Sequence, residues 1–132
     1  MSLTFGTGPF ASHSAGAFNF DPPRTRVAYV EPWRRRMRAV FAGETVLDSS
    51  GGKLLYETDS LPLHYYPLAD LREDFLVPVE PGRRWSLRVG DRVSEGAVTA
   101  PPAGDDPVAE ALGGHVTVDY AAMDRWFAPV TQ

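Results

Sequence analysis

From Arg36 onward, apolar and polar positions alternate in short runs separated by turn residues. Met37, Ala39 and Phe41 alternate with Arg36 and Arg38, Ala42-Gly43 is turn-like, and Glu44 to Asp48 carries the β-branched pair Thr45-Val46. This pattern predicts a hairpin. Asp48-Ser49-Ser50-Gly51-Gly52 then breaks the chain before a strand over Lys53 to Glu57, and Leu63 to Tyr66 follows as another strand between Pro62 and Pro67. Alternation along that strand places His64 and Tyr66 on one face, opposite Leu63 and Tyr65. Leu68 to Arg72 fits one helical turn, and Phe75-Leu76-Val77 is a short apolar run closed by Glu80-Pro81-Gly82. The clearest strand is Trp85 to Val89, where Trp85, Leu87 and Val89 face away from Ser86 and Arg88. Gly90-Asp91 suits a two-residue turn into a strand over Arg92 to Val98.

After the loop from Pro101 to Asp106, Asp106-Pro107, Val108 to Leu112 and Gly113 supply the cap, first-turn proline and terminating glycine of a short helix. Val116, Val118 and Tyr120 alternate with Thr117 and Asp119 as a last strand. Met123, Trp126 and Phe127 then stand at i, i+3 and i+4, which predicts a C-terminal helix over Ala121 to Phe127. The expected fold class is mainly β (α+β): a small antiparallel barrel or sandwich of short strands with a short C-terminal helix and an extended N-terminal arm.

The arm is residues 1–26, rich in Gly, Ser, Ala and Pro and without a sustained apolar period. Phe5, Phe10, Phe18 and Phe20 are spaced for anchoring an arm to a surface. Residues 27–132 then form a single β-rich domain, and the aromatic arm favours a homodimer or docking to another domain.

The chain has 132 residues, 13 Lys plus Arg against 17 Asp plus Glu, a net charge of −4 and no Cys. A hydrophobic fraction of 43% supports a packed core. The lack of cysteine excludes a disulfide framework, a thiolate metal site and a Cys nucleophile. The acidic balance gives no global attraction to nucleic acid or an anionic membrane, so neither is an expected partner. The opening residues lack the basic start and apolar run of a signal peptide, and no stretch reaches membrane-spanning length; a cytoplasmic protein is expected.

Val30-Glu31-Pro32-Trp33-Arg34-Arg35-Arg36-Met37-Arg38, Gly43 to Ser49, Leu54 to Thr58, His64 to Pro67, Trp85 to Arg92 and Val118 to Phe127 follow one another in an order that resembles the uncharacterised bacterial family numbered four-two-seven among the domains of unknown function. The resemblance covers Glu31 to Phe127 and implies a small β-rich fold. That family is sometimes labelled nucleotidyltransferase-like, a label that none of these residues supports. Its members usually carry a Cys-Pro-aromatic-Lys-Gly segment where this chain runs directly through Glu80-Pro81-Gly82-Arg83-Arg84-Trp85.

Candidate chemistry is sparse. Gly6-Thr7-Gly8-Pro9 has no preceding strand, and Gly51-Gly52-Lys53 lacks P-loop spacing, so neither is read as a phosphate site. His13, His64 and His115 lack metal-ligand spacing, so no metal or other cofactor is expected. The four arginines among Arg34 to Arg38 read as a solvated strand face. Where the resemblance places the missing family segment, Arg84 and Arg88 could hold a small anionic ligand beside Trp85 and Tyr65, with Glu57 or Tyr65 orienting it. Trp85, Tyr65, Tyr120 and Trp126 also read as core residues. The expectation is a noncatalytic or degenerate family member acting as a small-ligand-binding or protein-interaction module. The alternative is a small enzyme or biosynthetic accessory protein using Glu57, His64 or Tyr65 as acid or base in a barrel pocket.

Overall fold

A computed structural model describes residues 17–18 and 27–128, the first two by their backbone alone. The remainder of the aromatic arm, with His13, Phe5, Phe10 and Phe20, lies outside the described residues. The strands are β1 (Ala17–Phe18), β2 (Ala28–Trp33), β3 (Met37–Phe41), β4 (Glu44–Ser49), β5 (Gly52–Glu57), β6 (Leu63–Pro67), β7 (Leu76–Glu80), β8 (Arg84–Val89), β9 (Arg92–Thr99), β10 (His115–Val118) and β11 (Arg125–Phe127). The short helix α1 spans Pro107–Ala111.

Local chemistry accounts for the tight connections. Ala42 and Gly43, both in left-handed backbone (φ 52° and 81°), turn β3 into β4. Gly90 at φ 58° turns β8 into β9, where Val89 pairs with Arg92 as the two-residue turn requires. The side chain of Asp106 caps α1 by accepting the Ala109 N–H at 2.8 Å, and Pro107 follows it at the first turn. These elements agree with the sequence reading, as does a 3-10 turn at Leu68–Asp70.

The strands form two antiparallel sheets. The larger has the order β1-β2-β5-β6-β10-β9-β8-β7, and the smaller is β11-β3-β4. The larger sheet ends at β1 and β7 without joining them, so the expected barrel does not close. At the outer edge, β7 carries Pro78 and a register shift between Pro78 and Glu80.

The expected C-terminal helix is also corrected. Residues Tyr120–Ala122 form a 3-10 turn, and Arg125–Phe127 form β11, which pairs Trp126 with Ala39 of β3. A helix there would have left the ladder of β3 unpaired on one side. Asp119 caps the 3-10 turn by accepting the Ala121 N–H. The strand β2, containing Glu31 and Pro32, is a further element absent from the sequence reading.

Two apolar clusters hold these elements. Ala39, Phe41, Val46 and Leu47 of the smaller sheet pack with Tyr66, Leu87, Val98, Val116 and Val118 of the larger one, and with Met123. On the other side, Val108 and Leu112 pack with Ala28, Val30, Leu55 and Tyr65. Burial of each of those two aliphatic side chains is worth about 1.5–3 kcal/mol. No helix among the described residues is long and apolar enough to cross a membrane.

Asp124 fastens the smaller sheet to the β8–β9 hairpin. Its Oδ2 accepts the N–H of Ala42 at 2.7 Å, and both carboxylate oxygens accept from the Arg92 guanidinium at 2.7 and 3.1 Å. The same guanidinium lies 4.5 Å from the centroid of Phe41. The Arg92 hydrogen bond and then the Ala42 N–H hold the Asp124 carboxyl below its ordinary pKa. A lowered folded-state value means that the contribution is present above the unfolded carboxylate range and is lost as pH falls through the folded value. Asp124→Asn should therefore lower the urea midpoint at pH 7, and the difference from wild type should shrink on titration from pH 5 towards pH 2.

Candidate functional site

Strand alternation and register place the polar groups of β2, β5 and β6 on defined faces. Tyr65 belongs to the cluster beneath α1, so His64 and Tyr66 point to the opposite side. Glu31 pairs with Leu54, and Leu54 with His64, so Glu31 shares that side. Trp33 follows two residues after Glu31 and pairs with Gly52. The lack of a side chain at Gly52 matters, because a Cβ there would come within 3.3 Å of the Tyr66 ring and 3.2 Å of the Tyr65 carbonyl oxygen.

Five rings run in sequence across this region and onto the smaller sheet. Trp33 meets His64 edge-on at 5.4 Å between centroids, and His64 stacks with Tyr66 at 6.1 Å and 7°. Tyr66 stacks with Trp126 at 6.2 Å, and Trp126 with Tyr120 at 5.3 Å and 8°. Trp126 donates its indole N–H to the Tyr120 carbonyl at 3.0 Å, which fixes the last pair. Tyr120 is 72% exposed, which corrects its reading as a core residue.

Among the described residues, three buried polar atoms on this side have no hydrogen-bond partner: Glu31 Oε1, Trp33 Nε1 and His64 Nδ1. Glu31 is only 4% exposed, and its other carboxylate oxygen accepts from Tyr56 Oη at 2.9 Å. Burial, followed by the Glu31 hydrogen bond, pushes the Tyr56 pKa to about 12, so this phenol remains a donor at neutral pH. Desolvation lowers the His64 pKa and keeps its imidazole neutral at pH 7. A buried polar atom without a partner costs about 1–3 kcal/mol, so such a concentration on one side of a sheet requires an explanation.

A cleft opens at one end of this ring series. Strand β10 pairs with β6 through His115 and Val116 but with β9 through Thr117 and Val118. Beyond these contacts β6 and β9 diverge, and the fork encloses about 540 Å³. Its walls include His64, Tyr66, Thr99, Thr117, Tyr120 and Trp126. Asp119 also lines it, with its carboxylate engaged in the Ala121 cap.

The residues singled out from the sequence disperse. His64 reaches the cleft. Tyr65 is 4% exposed beneath α1, where burial and then the charge of Glu57 raise its pKa. Glu57 stands exposed at the end of β5, opposite Ala28. Trp85 borders two other grooves, of about 360 and 720 Å³, whose linings lack the ring series. Arg88 is exposed and pairs with Val93 at the far end of β8. Arg84 pairs with Thr99, and its side chain crosses Gly96. Within the basic run, Arg36 makes a two-pronged ion pair with Asp48, Arg35 lies over Trp33 and Arg38 over Phe127. The sequence reading missed Glu31, Trp33 and Tyr56. Alternation from Tyr29 to Trp33 was the available signal, interrupted by the charged Glu31 and by Pro32. Among the described residues no group of three or more His, Cys, Asp or Glu side chains is arranged to hold a metal ion.

The architecture is that of a mainly β domain with an open antiparallel sheet and an aromatic cleft at the fork in that sheet. The chain belongs to the family described as Domain of unknown function (DUF427), whose sequence profile matches residues 29–129. No curated protein and no solved structure matches the chain.

Two substitutions test this reading of the site. Tyr56→Phe removes the donor to the buried Glu31 carboxylate and should destabilise the domain by about 1–3 kcal/mol in urea unfolding, whereas a shift within error would mean that water replaces the phenol. For His64, a lowered folded-state pKa makes the unfolded chain bind more protons, so stability is present above the unfolded value and falls as pH drops through it. Thermal midpoints of the wild type should decline between pH 7 and 5, and His64→Gln should flatten that slope.

Proposed function

We propose that this domain is a noncatalytic binding module for a small planar molecule held in the fork between β6 and β9. The observation that carries the reading is the buried, unpartnered His64 Nδ1, which belongs to a side chain in the wall of a cleft bordered by the Tyr66, Trp126 and Tyr120 rings. Flat aromatic surfaces attract flat ligands, and a neutral imidazole offers one directional hydrogen bond. The cleft volume lies within the range of about 300–1,000 Å³ common to small-molecule sites.

Chemistry on the ligand would require a second reactive group beside His64. The other acid–base candidates, Glu57 and Tyr65, stand away from the cleft, on the side of the sheet facing α1 and at its margin. That distribution favours binding over turnover.

Native mass spectrometry of gently purified protein reports both the ligand and the subunit number. A retained noncovalent mass that disappears in Trp126→Ala, with the fold intact by circular dichroism, is the expected result. A retained mass that persists in both Trp126→Ala and His64→Ala would place the ligand elsewhere and remove the reading.

A further inference from the structure

The register of β8, β9 and β10 aligns a second set of groups with the cleft. Arg84 pairs with Thr99, and Thr99 pairs with Thr117, so a guanidinium and two hydroxyls follow one another across three strands. Both threonines line the cleft and are half-buried. Arg84 stands outside the cleft lining and approaches it through a bulge: the register shifts between Trp85 and Leu87, and Gly96 sits at φ 64° with its N–H donating to Ser86 Oγ at 3.0 Å. Gly96 itself lines the cleft. A Cβ at Gly96 would lie 3.2 Å from Arg84 Cδ and 3.7 Å from both Nε and Nη1, so the arginine spans the space left by the missing side chain.

Among the described residues five other arginines are engaged, while Arg34, Arg83, Arg88 and Arg125 make no ion pair. Arg36, Arg72 and Arg92 pair with carboxylates, and Arg35 and Arg38 cover aromatic rings. Among the described residues Arg84 makes no ion pair, and neither the Thr99 nor the Thr117 hydroxyl makes a hydrogen bond. An unpaired guanidinium with two free hydroxyls suits an oxyanion, for which the fork of N–H donors gives paired, charge-assisted bonds.

Building on the planar-ligand reading above, we infer that the cleft selects a flat ring bearing an oxyanionic group, with the ring against Trp126 and Tyr66 and the anion received by Arg84, Thr99 and Thr117. The chemistry is shared by aryl carboxylates and aryl phosphates. His64 contacts the ring edge, and the occupied cap at Asp119 keeps its carboxylate directed to Ala121 rather than towards the anion.

The test titrates the full chain with benzoate, phenyl phosphate, benzamide and benzylamine, followed by NMR shifts of the Trp126 and Thr117 resonances. One or both anions should bind at least about tenfold more tightly than benzamide, a difference of about 1.4 kcal/mol, and benzylamine most weakly. The stronger of the two anions identifies the carboxylate or phosphate source. Arg84→Gln should erase the preference while leaving benzamide binding intact, which distinguishes loss of the anion contact from misfolding. Equal binding of benzoate, phenyl phosphate and benzamide, or a preference unchanged in Arg84→Gln, overturns the oxyanion inference and leaves the planar-ligand reading standing. Absence of binding by all four probes at millimolar concentration overturns both.

Discussion

Strand β10 has four residues and divides their hydrogen bonding between two neighbours. His115 and Val116 face β6, while Thr117 and Val118 face β9. A strand long enough to pair with both neighbours along its full length would have kept the sheet continuous and left no fork. The brevity is enforced from both sides. Gly114, at φ 73°, brings the chain out of α1 immediately before the strand, and Asp119 caps the 3-10 turn immediately after it. The cleft is therefore a consequence of how β10 is terminated. Its apolar residues Val116 and Val118 still belong to the core between the two sheets, so the opening coexists with a packed interior.

The polar side of β2, β5 and β6 and the ring series form one energetic unit with that opening. Tyr56 engages one oxygen of the buried Glu31 carboxylate, whereas the other oxygen, the Trp33 indole N–H and His64 Nδ1 remain open. Apolar residues at those positions would avoid the desolvation cost. Polar groups retained there leave hydrogen-bonding capacity around His64, while Tyr66 and Trp126 contribute apolar surface to the cleft wall.

Much of the fold was legible because it is written locally. Ala42-Gly43, Gly90-Asp91 and Asp106-Pro107 specify their turns and cap through residues adjacent in the chain, and the expected elements occur there. The C-terminal strand was hidden because Met123, Trp126 and Phe127 fit a helical face equally well. The preference of β3 for a pairing partner decides the matter, and that partner lies more than eighty residues away in sequence. Strand β2 was obscured by Glu31, whose burial has no counterpart in ordinary amphipathic patterning. Of the residues discussed for the site, His64 and Arg84 were singled out from the sequence. Their separation from Tyr65, Glu57 and Arg88 followed from the faces and the register, which only the assembled sheet fixes.

The open edge of the larger sheet bears on the protein's colloidal behaviour. A barrel would have consumed both margins, whereas β7 remains outermost, with Val77 and Val79 exposed on it. Pro78 interrupts this margin with a residue that has no N–H, and the neighbouring register shift distorts the strand. Such a border is a poor template for another extended chain, so crowding and high expression should not drive runaway sheet growth from it. Along β7 the sheet stays unsealed without inviting the fibrous stacking that exposed strand margins promote.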